Sequence, residues 1–425
     1  MNAAETLLAA GCDGHSALLC AEQQLTYRVL RRLVAQVAGA WQARGLRPGE
    51  RVFVIAADSV DWVATYLGVI WAGGVAVGLD PRLPAGELQA ILADSDARFV
   101  WCEDDAAAGV EAMQGLPAAV VRNGPGWAVA VAAARMMPAV RRDAEDPALW
   151  VLTPGTGGTA KAVVHVHRTV VDVHSFACGV LGADSSDRFY ASSGLFSAHA
   201  LGNSLFAGLR AGGTVVLDPH RPTPQGFETI VQRLRPTLVF SGPALYRGLL
   251  QAGIATRLAD AGVRRYVSVG EALPAGTRAA WREATGLAPV EGYGTSETLA
   301  LVLYCDDETG LLRPTPLTQT SCVPGPQGSV PQRIWMRHGA VARGYWHRPE
   351  AEADAFRPGG WFSPGDLFLS HPHDRLEWAS RDGAIRGVGA ARRRGASLAA
   401  TPVAAVGALG GCAGGDGDAR LAGWG

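Results

Sequence analysis

A single lysine in a loop of small residues is well suited to holding a phosphate. Residues 150–167 read WVLTPGTGGTAKAVVHVH, and Lys161 within them is the only lysine of the 425-residue chain. Small residues let backbone N–H groups approach an anion, threonine hydroxyls donate hydrogen bonds, and an ammonium group neutralises charge. The stretch therefore predicts a nucleotide phosphate site, with a solvated turn between two strands as the alternative.

Two common nucleotide-binding patterns do not fit this loop. A P-loop has glycine before its lysine and serine or threonine after it, whereas Lys161 stands between Ala160 and Ala162. A dinucleotide-binding glycine turn opens a helix. Here the lysine leads into AVVHVH, whose alternation and β-branching indicate a strand. We therefore expect a loop held between two strands.

The composition is that of a globular protein with no strong overall charge. Hydrophobic residues make up 48% and charged residues 18% of the chain, the formal net charge is −1 and the pI is near 6.8. These values argue against nucleic acid as a partner. The seven scattered cysteines include no C-x-x-C pair, and no basic segment precedes an apolar run at the amino terminus. We expect reduced thiols and a cytoplasmic location.

The uncharged stretch 62–79 is long enough to raise the possibility of a membrane span. The pair Gly73-Gly74 inside it favours a buried helix that stops and is followed by the strand VAVGL. The same alternation of helix and apolar strand occurs on both sides of the phosphate loop, whereas residues 106–142 are predicted to form a connecting surface region. The pattern predicts an α/β fold with doubly wound parallel sheets, whose ligands bind beyond the carboxyl ends of the strands.

An ordered set of motifs resembles the acyl-adenylate-forming, or AMP-binding, superfamily of acyl- and aryl-CoA ligases, peptide-synthetase adenylation domains and luciferases. The set comprises T-x-G-T-x-G followed by Lys161, then SVGEALP, EGYGTSET, ARGYWHRPE and GWFSPGDLF, and the resemblance runs from about residue 25 to 386. The loop departs from the family pattern at four positions. These are Pro154, Gly157, Ala160 and Ala162, where the family usually has Ser, Thr, Pro and Gly.

The resemblance implies a domain arrangement. Residues 1–380 would form the large N-terminal AMP-binding domain with its doubly wound sheets and a β-rich subdomain. Residues 381–386 would be a hinge remnant. Residues 387–425 are rich in Gly and Ala and lack an apolar period, so we expect this tail to be disordered and the family's C-terminal lid domain to be absent.

The resemblance also assigns roles to individual residues. Lys161, Thr156 and Glu297 would be catalytic, and Glu297 would bind Mg²⁺. Asp366 would accept the ribose hydroxyls, and Arg381 stands where the hinge-side arginine approaches the ribose. The remaining nucleotide contacts would come from Thr153, Gly155 and Gly158 at the phosphates, Gly270, Glu271, Ala272 and Tyr293 at adenine, and Gly294 and Ser296 of the GYGTSET motif.

The acid would bind beside GLFSAHALGNSLF, in which His199 stands where an aromatic residue is usual, and beside Ser241 and Gly242. Small residues there favour a benzoate-, hydroxybenzoate- or cinnamate-like acid. Two further histidines, His165 and His167, alternate onto one face of a strand and can in principle ligate a metal. Without an evident carboxylate or cysteine partner, a structural role is favoured for both.

The function implied is ATP-dependent activation of a carboxylic acid and its transfer to coenzyme A. Members of the family use a second lysine from their C-terminal domain for adenylation, and this chain has no second lysine. Loss of one such charge-stabilising group typically costs roughly 10²- to 10³-fold in rate. Impaired activity is therefore expected. The alternatives are a catalytically defective module that binds ATP or AMP, and a tail read in a shifted frame of a gene for an intact ligase.

Overall fold

A computed structural model describes residues 1–381 except residues 22, 114–117, 154–159, 221 and 323–329. Its strands are β1 (Ser16–Cys20), β2 (Gln23–Thr26), β3 (Arg51–Ile55), β4 (Val75–Leu79), β5 (Ala97–Cys102), β6 (Ala119–Arg122), β7 (Pro147–Thr153), β8 (Lys161–Val166), β9 (Arg188–Ala191), β10 (Thr214–Leu217), β11 (Leu238–Ser241), β12 (Arg265–Val269), β13 (Val290–Tyr293), β14 (Leu303–Cys305), β15 (Arg313–Pro314), β16 (Gln319–Cys322), β17 (Gln332–Arg337), β18 (Gly344–Tyr345), β19 (Phe356–Arg357), β20 (Trp361–Phe362), β21 (Asp366–His371) and β22 (Arg375–Arg381).

The α-helices are α1 (Ala3–Leu8), α2 (Tyr27–Ala43), α3 (Val60–Trp71), α4 (Ala85–Ala93), α5 (Asp104–Glu111), α6 (Pro125–Ala133), α7 (Ser175–Gly179), α8 (Ala198–Ala200), α9 (Ala207–Arg210), α10 (Pro224–Leu234), α11 (Pro243–Gln251), α12 (Ala275–Thr285) and α13 (Pro349–Ala355). Two 3₁₀ segments lie at His167–Val170 and Ala255–Leu258, and a π-helical turn at Leu201–Phe206 joins α8 to α9.

Two mainly parallel sheets form the body of the protein. The first has the strand order β18-β8-β7-β4-β3-β5-β6, in which β8 and β18 are antiparallel to their neighbours. The second has the order β15-β14-β13-β12-β11-β9-β10-β1-β2, with antiparallel pairs at both ends. The predicted α/β fold with doubly wound sheets is confirmed.

A third, antiparallel sheet has the order β19-β20-β17-β21-β22, and β16 pairs with β17. It is the β-rich part that the resemblance implied. Its strand β21 begins at Asp366. Between β17 and β19 in the sequence, strand β18 returns the chain to the first sheet, where it pairs with β8.

The largest apolar cluster lies between the two parallel sheets. It includes the fully buried Val54, Trp62, Phe189 and Phe240 from α3 and three strands. Other clusters cover the outer face of each sheet, one beneath α10–α12 and one beneath α4 and α5. Because both faces of each sheet are covered, the strands are continuous apolar runs rather than alternating ones.

The uncharged stretch 62–79 is a helix followed by a strand, as expected, since α3 and β4 account for it. Within the described ranges, no helix combines the length and the apolar character that crossing a bilayer would need. The prediction of a connecting surface region over residues 106–142 was wrong. Those residues include most of α5, all of α6 and the edge strand β6, which pairs in parallel with β5. The alanine-rich sequence gives no pattern from which that pairing could be predicted.

Candidate active site

The predicted phosphate loop is the connection of an antiparallel hairpin. Thr153 ends β7 and Lys161 begins β8, and the two residues are register partners. The loop between two strands is therefore present. Three of the residues assigned to the phosphates, Gly155, Thr156 and Gly158, lie outside the described residues. Thr153 and Lys161 are the strand residues on either side of that loop.

Lys161, Tyr345 and Glu297 are connected by two successive contacts. The Lys161 Nζ is 4.5 Å from the centroid of the Tyr345 ring, and the Tyr345 hydroxyl donates a 2.6 Å hydrogen bond to Glu297 Oε1. Tyr345 and Glu297 are each 8% exposed. A cation over an aromatic face and a hydroxyl donating to a carboxylate are both favourable contacts. The predicted metal ligand is thus connected to the predicted phosphate lysine through one tyrosine.

A compact turn carries Ser296 and Glu297. After β13 the chain folds back, so that Val302 N–H donates to Tyr293 O at 2.9 Å. Gly294 is required for this fold-back, because a Cβ at that position would lie 2.6 Å from Ala300 O. The turn is also held from outside, since Ala342 N–H donates to Glu297 O at 2.7 Å.

His165 supports the same turn from β8. Its Nε2 lies 2.8 Å from Ser296 O and, because the acceptor is a carbonyl, this nitrogen carries the proton. Burial lowers the pKa of His165 to about 4, the Ser296 bond opposes that change, and Arg168 adds to it. A neutral imidazole therefore connects the strand of Lys161 to the turn of Glu297. This is consistent with the structural role predicted for His165, as is the fully buried setting of His167.

Tyr293 and Asp366 are directly bonded. The Tyr293 hydroxyl donates to Asp366 Oδ2 at 2.5 Å, and Arg381 Nε lies 3.7 Å from Asp366 Oδ1. Burial raises the pKa of Asp366, and the Tyr293 bond and the Arg381 charge partly offset this rise. These three predicted nucleotide residues thus form one cluster. Its geometry comes from the end of β13 and from the register pair of Asp366 with Arg381 between β21 and β22.

The turn Gly270–Ala272 follows β12 immediately. Gly270 has a φ of +88°, a conformation that favours glycine, and it is exposed, as is Ala272. Because Val269 is paired in parallel with Gly292, the turn after β12 lies beside Tyr293 at the same edge of the sheet. The location matches the place where an open α/β sheet binds its ligand.

On the acid side, the His199 imidazole packs edge-on against Phe240, with ring centroids 6.5 Å apart. Burial lowers the pKa of His199 to about 4, and its buried Nε2 has no hydrogen-bond partner among the described residues. A neutral ring nitrogen is thus left with its hydrogen-bonding capacity unused.

Ser241 and Gly242 lie at the end of β11. The Ser241 hydroxyl is 2.8 Å from that of Ser192, and its side chain alternates with Phe240, so it faces away from the His199 ring. Gly242 lies next to the end of β12, where an added Cβ would be 3.7 Å from Val269 O. A wall formed there would therefore be made of backbone and of Gly242 rather than of the Ser241 hydroxyl.

Asp58 holds the loop before His199. Both of its carboxylate oxygens accept from Leu195 N–H, at 3.0 and 3.1 Å. Burial raises its pKa to about 7. The Leu195 bond and Arg82 oppose the rise, and Asp218 and Asp80 add to it. Asp58 stands just beyond β3, so it connects the first sheet to a loop of the second.

Sequence reasoning did not single out Tyr345 or Asp58, although both contact predicted segments. Tyr345 lies inside ARGYWHRPE, so the motif was visible, but its bond to Glu297 depends on β18 pairing with β8 across 182 positions of sequence between Val163 and Tyr345. Asp58 carries no signal beyond standing at the end of an apolar strand.

A match to the AMP-binding enzyme family model covers residues 8–346. The 3-hydroxybenzoate–CoA ligase of Aromatoleum sp. (strain CIB) is 34% identical over 393 residues, which are 87% of this chain and 75% of that protein. The 3-hydroxybenzoate–CoA/4-hydroxybenzoate–CoA ligase of Thauera aromatica is 32% identical over 400 residues, with the same two coverages.

Among solved structures, the anthranilate CoA ligase AuaEII in complex with anthranoyl-AMP superposes with a TM-score of 0.83. It is 26% identical in sequence, and the match covers 90% of this chain and 77% of that one. The fold of this chain thus has a counterpart in an enzyme of known structure.

Proposed function

Since the chain belongs to the AMP-binding enzyme family, we propose that it uses ATP to join an aromatic carboxylic acid to the thiol of coenzyme A. In the first step an acid oxygen attacks the α-phosphorus of ATP, the bond from that phosphorus to the β-phosphate oxygen breaks, and pyrophosphate leaves. In the second step the thiol sulfur attacks the acyl carbon, AMP leaves with the bonding electrons, and the thiol proton is released. Relatives named as aryl-CoA ligases support this proposal.

The observation that carries the proposal is the contact chain from Lys161 through Tyr345 to Glu297. It brings a cation and a carboxylate to one edge of the sheet. There Lys161 would lie against the β- and γ-phosphates, with Thr153 at the other side of the loop. Fixed charges at the position where charge develops are an effective source of rate enhancement.

The adjoining cluster provides for the nucleoside. Tyr293 would stack on adenine beside the turn of Gly270, Glu271 and Ala272. Asp366 would accept the ribose hydroxyls, because an ionised carboxylate only accepts. In the described structure the Asp366 carboxylate is bonded to Tyr293 and to the Trp378 side chain, with Arg381 beside it.

The residues present suit Mg²⁺. Within the described ranges, no group of three or more His, Cys, Asp or Glu side chains is arranged to enclose a metal ion. Mg²⁺ is usually held by one or two carboxylates together with substrate phosphates, and Glu297 supplies one carboxylate with one oxygen fixed by Tyr345. Glu297 would hold the ion, which when bound neutralises phosphate charge.

The acid is expected to be a benzoate with a polar ring substituent. The unpartnered Nε2 of His199 offers a hydrogen bond that a hydroxyl or amino group on the ring would satisfy, and a buried polar atom without a partner favours ligands that provide one. Hydroxybenzoate appears in the names of two relatives and anthranilate in that of a solved structure.

A second candidate is a module that binds ATP or AMP without turning over acid. One observation favours it: Lys161 is the only lysine among these 425 residues, and it stands at the phosphate loop.

Pyrophosphate release with ATP, Mg²⁺ and a panel of benzoates, hydroxybenzoates and cinnamates tests the first candidate, with Lys161→Ala as the control. We expect a signal that depends on the acid and falls roughly 10²- to 10³-fold in the variant. Equal release by the two proteins would reject it. Calorimetry with ATP and AMP then decides the second candidate, which requires binding of at least one of them without acid-dependent release.

A further inference from the structure

Asn203 lies between the acid pocket and the nucleotide turn and is bonded to both. Its side-chain amide donates to His199 O at 3.1 Å, and its side-chain oxygen accepts from Leu301 N–H at 3.2 Å. Asn203 is 3% exposed. One rigid amide group therefore fixes the separation of two backbone groups that are 102 positions apart, from residue 199 to residue 301.

The surrounding backbone is adapted to this contact. Asn203 lies within the π-helical turn Leu201–Phe206, a conformation that is rare and occurs frequently at functional sites. Facing it, the buried Leu299 has a φ of +55°, in the left-handed region that is unfavourable for leucine. Any side chain at Gly202 would collide with Leu299 O. Strained backbone of this kind persists only where the surroundings hold it in place.

Both ends of the bridge belong to the proposed site. His199 carries the unpartnered imidazole nitrogen on the acid side. Leu301 lies on the turn that folds back onto Tyr293 and Gly294 and that carries Glu297. The two bonds of Asn203 connect the two segments directly, beside the packing of Gly202 against Leu299 O, so a change in the position or mobility of one segment acts on the other through them.

We propose that Asn203 is a positioning residue that couples occupation of the acid pocket to the geometry of the Glu297 turn, so that acid and nucleotide bind cooperatively. The inference rests on the proposed function. An acid that contacts the His199 ring immobilises its backbone carbonyl, and the bridge then restricts the Glu297 turn. A nucleotide that binds next meets a turn already ordered, so its affinity rises.

The test measures the affinity of α,β-methylene ATP with Mg²⁺ by calorimetry, with and without saturating 3-hydroxybenzoate. This analogue cannot lose its β-phosphate, so both ligands stay intact. For the wild-type chain we expect the acid to tighten nucleotide binding by roughly 5- to 150-fold, the usual range for coupled sites.

Asn203→Asp separates the two bonds. Its carboxylate still accepts from Leu301 N–H but repels His199 O, so at about pH 8 we expect the acid to tighten nucleotide binding less than about twofold. Because burial raises the pKa of a carboxyl group, lowering the pH to about 6 restores a proton and a donor. The coupling should then return towards that of wild type, which a merely structural loss would not show.

Two further variants separate loss of the Asn203 hydrogen bonds from a general loss of stability. Asn203→Ala has no side-chain hydrogen-bonding group, so it should lose the coupling at both pH values. Thr285→Val removes a buried hydrogen bond to Trp281 O at the end of α12, so it controls for lost stability and should keep the full coupling.

Three results would overturn the inference. They are wild-type tightening retained by Asn203→Asp at about pH 8, tightening retained by Asn203→Ala, and a wild-type chain that binds the analogue equally well with and without acid. A wild-type chain that binds neither ligand would instead reject the proposed function, on which the inference depends.

Discussion

The proposed nucleotide side and the proposed acid side of the site are built differently. On the nucleotide side, three polar side chains are bonded to another side chain or to backbone: Tyr293 to Asp366, Tyr345 to Glu297, and His165 Nε2 to Ser296 O. His165 Nδ1 and Thr295 Oγ1 have no partner there among the described residues. On the acid side, His199 Nε2 has no partner among the described residues, and Asp58 accepts from one backbone N–H beside other carboxylates.

The difference indicates which part of the site is ordered before its ligand binds. Hydrogen bonds within the chain hold the residues proposed for the nucleotide in place without a ligand, and preorganised groups cost no rearrangement at the moment of reaction. The acid side keeps unused hydrogen-bonding capacity, which a substrate can satisfy. Specificity for the acid then depends on how well its substituents supply the missing partners.

Removing one bond on the nucleotide side should have the largest effect. In Tyr345→Phe the buried Glu297 carboxylate loses its 2.6 Å donor. We expect the free energy of unfolding of the ligand-free protein to fall by roughly 1.5–3 kcal/mol, the usual value for a hydrogen bond to a charged group. Urea denaturation measures this change.

Tyr304→Phe is the matched control for that variant. It also removes one tyrosine hydroxyl and keeps a ring that packs against a cation, here Arg313 at 4.6 Å from the ring centroid. Its expected change is within about 0.5 kcal/mol. Equal losses in the two variants would show that the Glu297 bond contributes nothing particular to the nucleotide side.

The second prediction concerns pH. His165 has a pKa of about 4 in the folded protein, below the ordinary value of 6.5, so its neutral form is favoured by folding. Its stabilising contribution is complete above about pH 6.5 and is lost as the pH falls towards 4. Between about pH 7 and pH 5 the loss amounts to roughly 2 kcal/mol.

His165→Gln should remove that part of the acid sensitivity, because the glutamine amide also donates but does not titrate. Urea unfolding of both proteins at the two pH values measures the slope. His167 and His199, with pKa values also near 4, remain in the variant and account for the acid loss that is left. An unchanged slope would mean that burial does not hold His165 neutral in the folded protein.

The sequence allowed much of the nucleotide side to be predicted, because its residues occur in short motifs at strand ends. Tyr293 closes β13 and Lys161 opens β8, and strand ends are recognisable from the apolar runs that precede them. The doubly wound fold followed from the same runs. The structure then brings Tyr293, Asp366 and Arg381 into one cluster.

The contacts that could not be predicted from the sequence depend on pairing between distant segments, which no local pattern encodes. The Tyr345 bond requires β18 to return to β8, and the Asn203 bridge requires a π-helical turn to meet a left-handed leucine. Edge strand β6 was missed because alanine and valine over residues 119–121 fit a surface connection as well as a strand. Tertiary contacts decided each case.

The smallest effect is expected on the acid side, at Asp58. Folding raises its pKa to about 7, so the ionised carboxylate is disfavoured in the folded protein and the associated cost increases as the pH rises from about 4 to 7. Asp58→Asn keeps an oxygen for Leu195 N–H and removes the charge. Relative to wild type, the variant should gain about 1 kcal/mol in the free energy of unfolding between about pH 6 and pH 8.

The sign is opposite to that at His165, since one group is a buried acid and the other a buried base. A variant that loses stability relative to wild type as the pH rises would instead show that the ionised form of Asp58 holds the acid loop, and that this side of the site is as firmly preorganised as the nucleotide side.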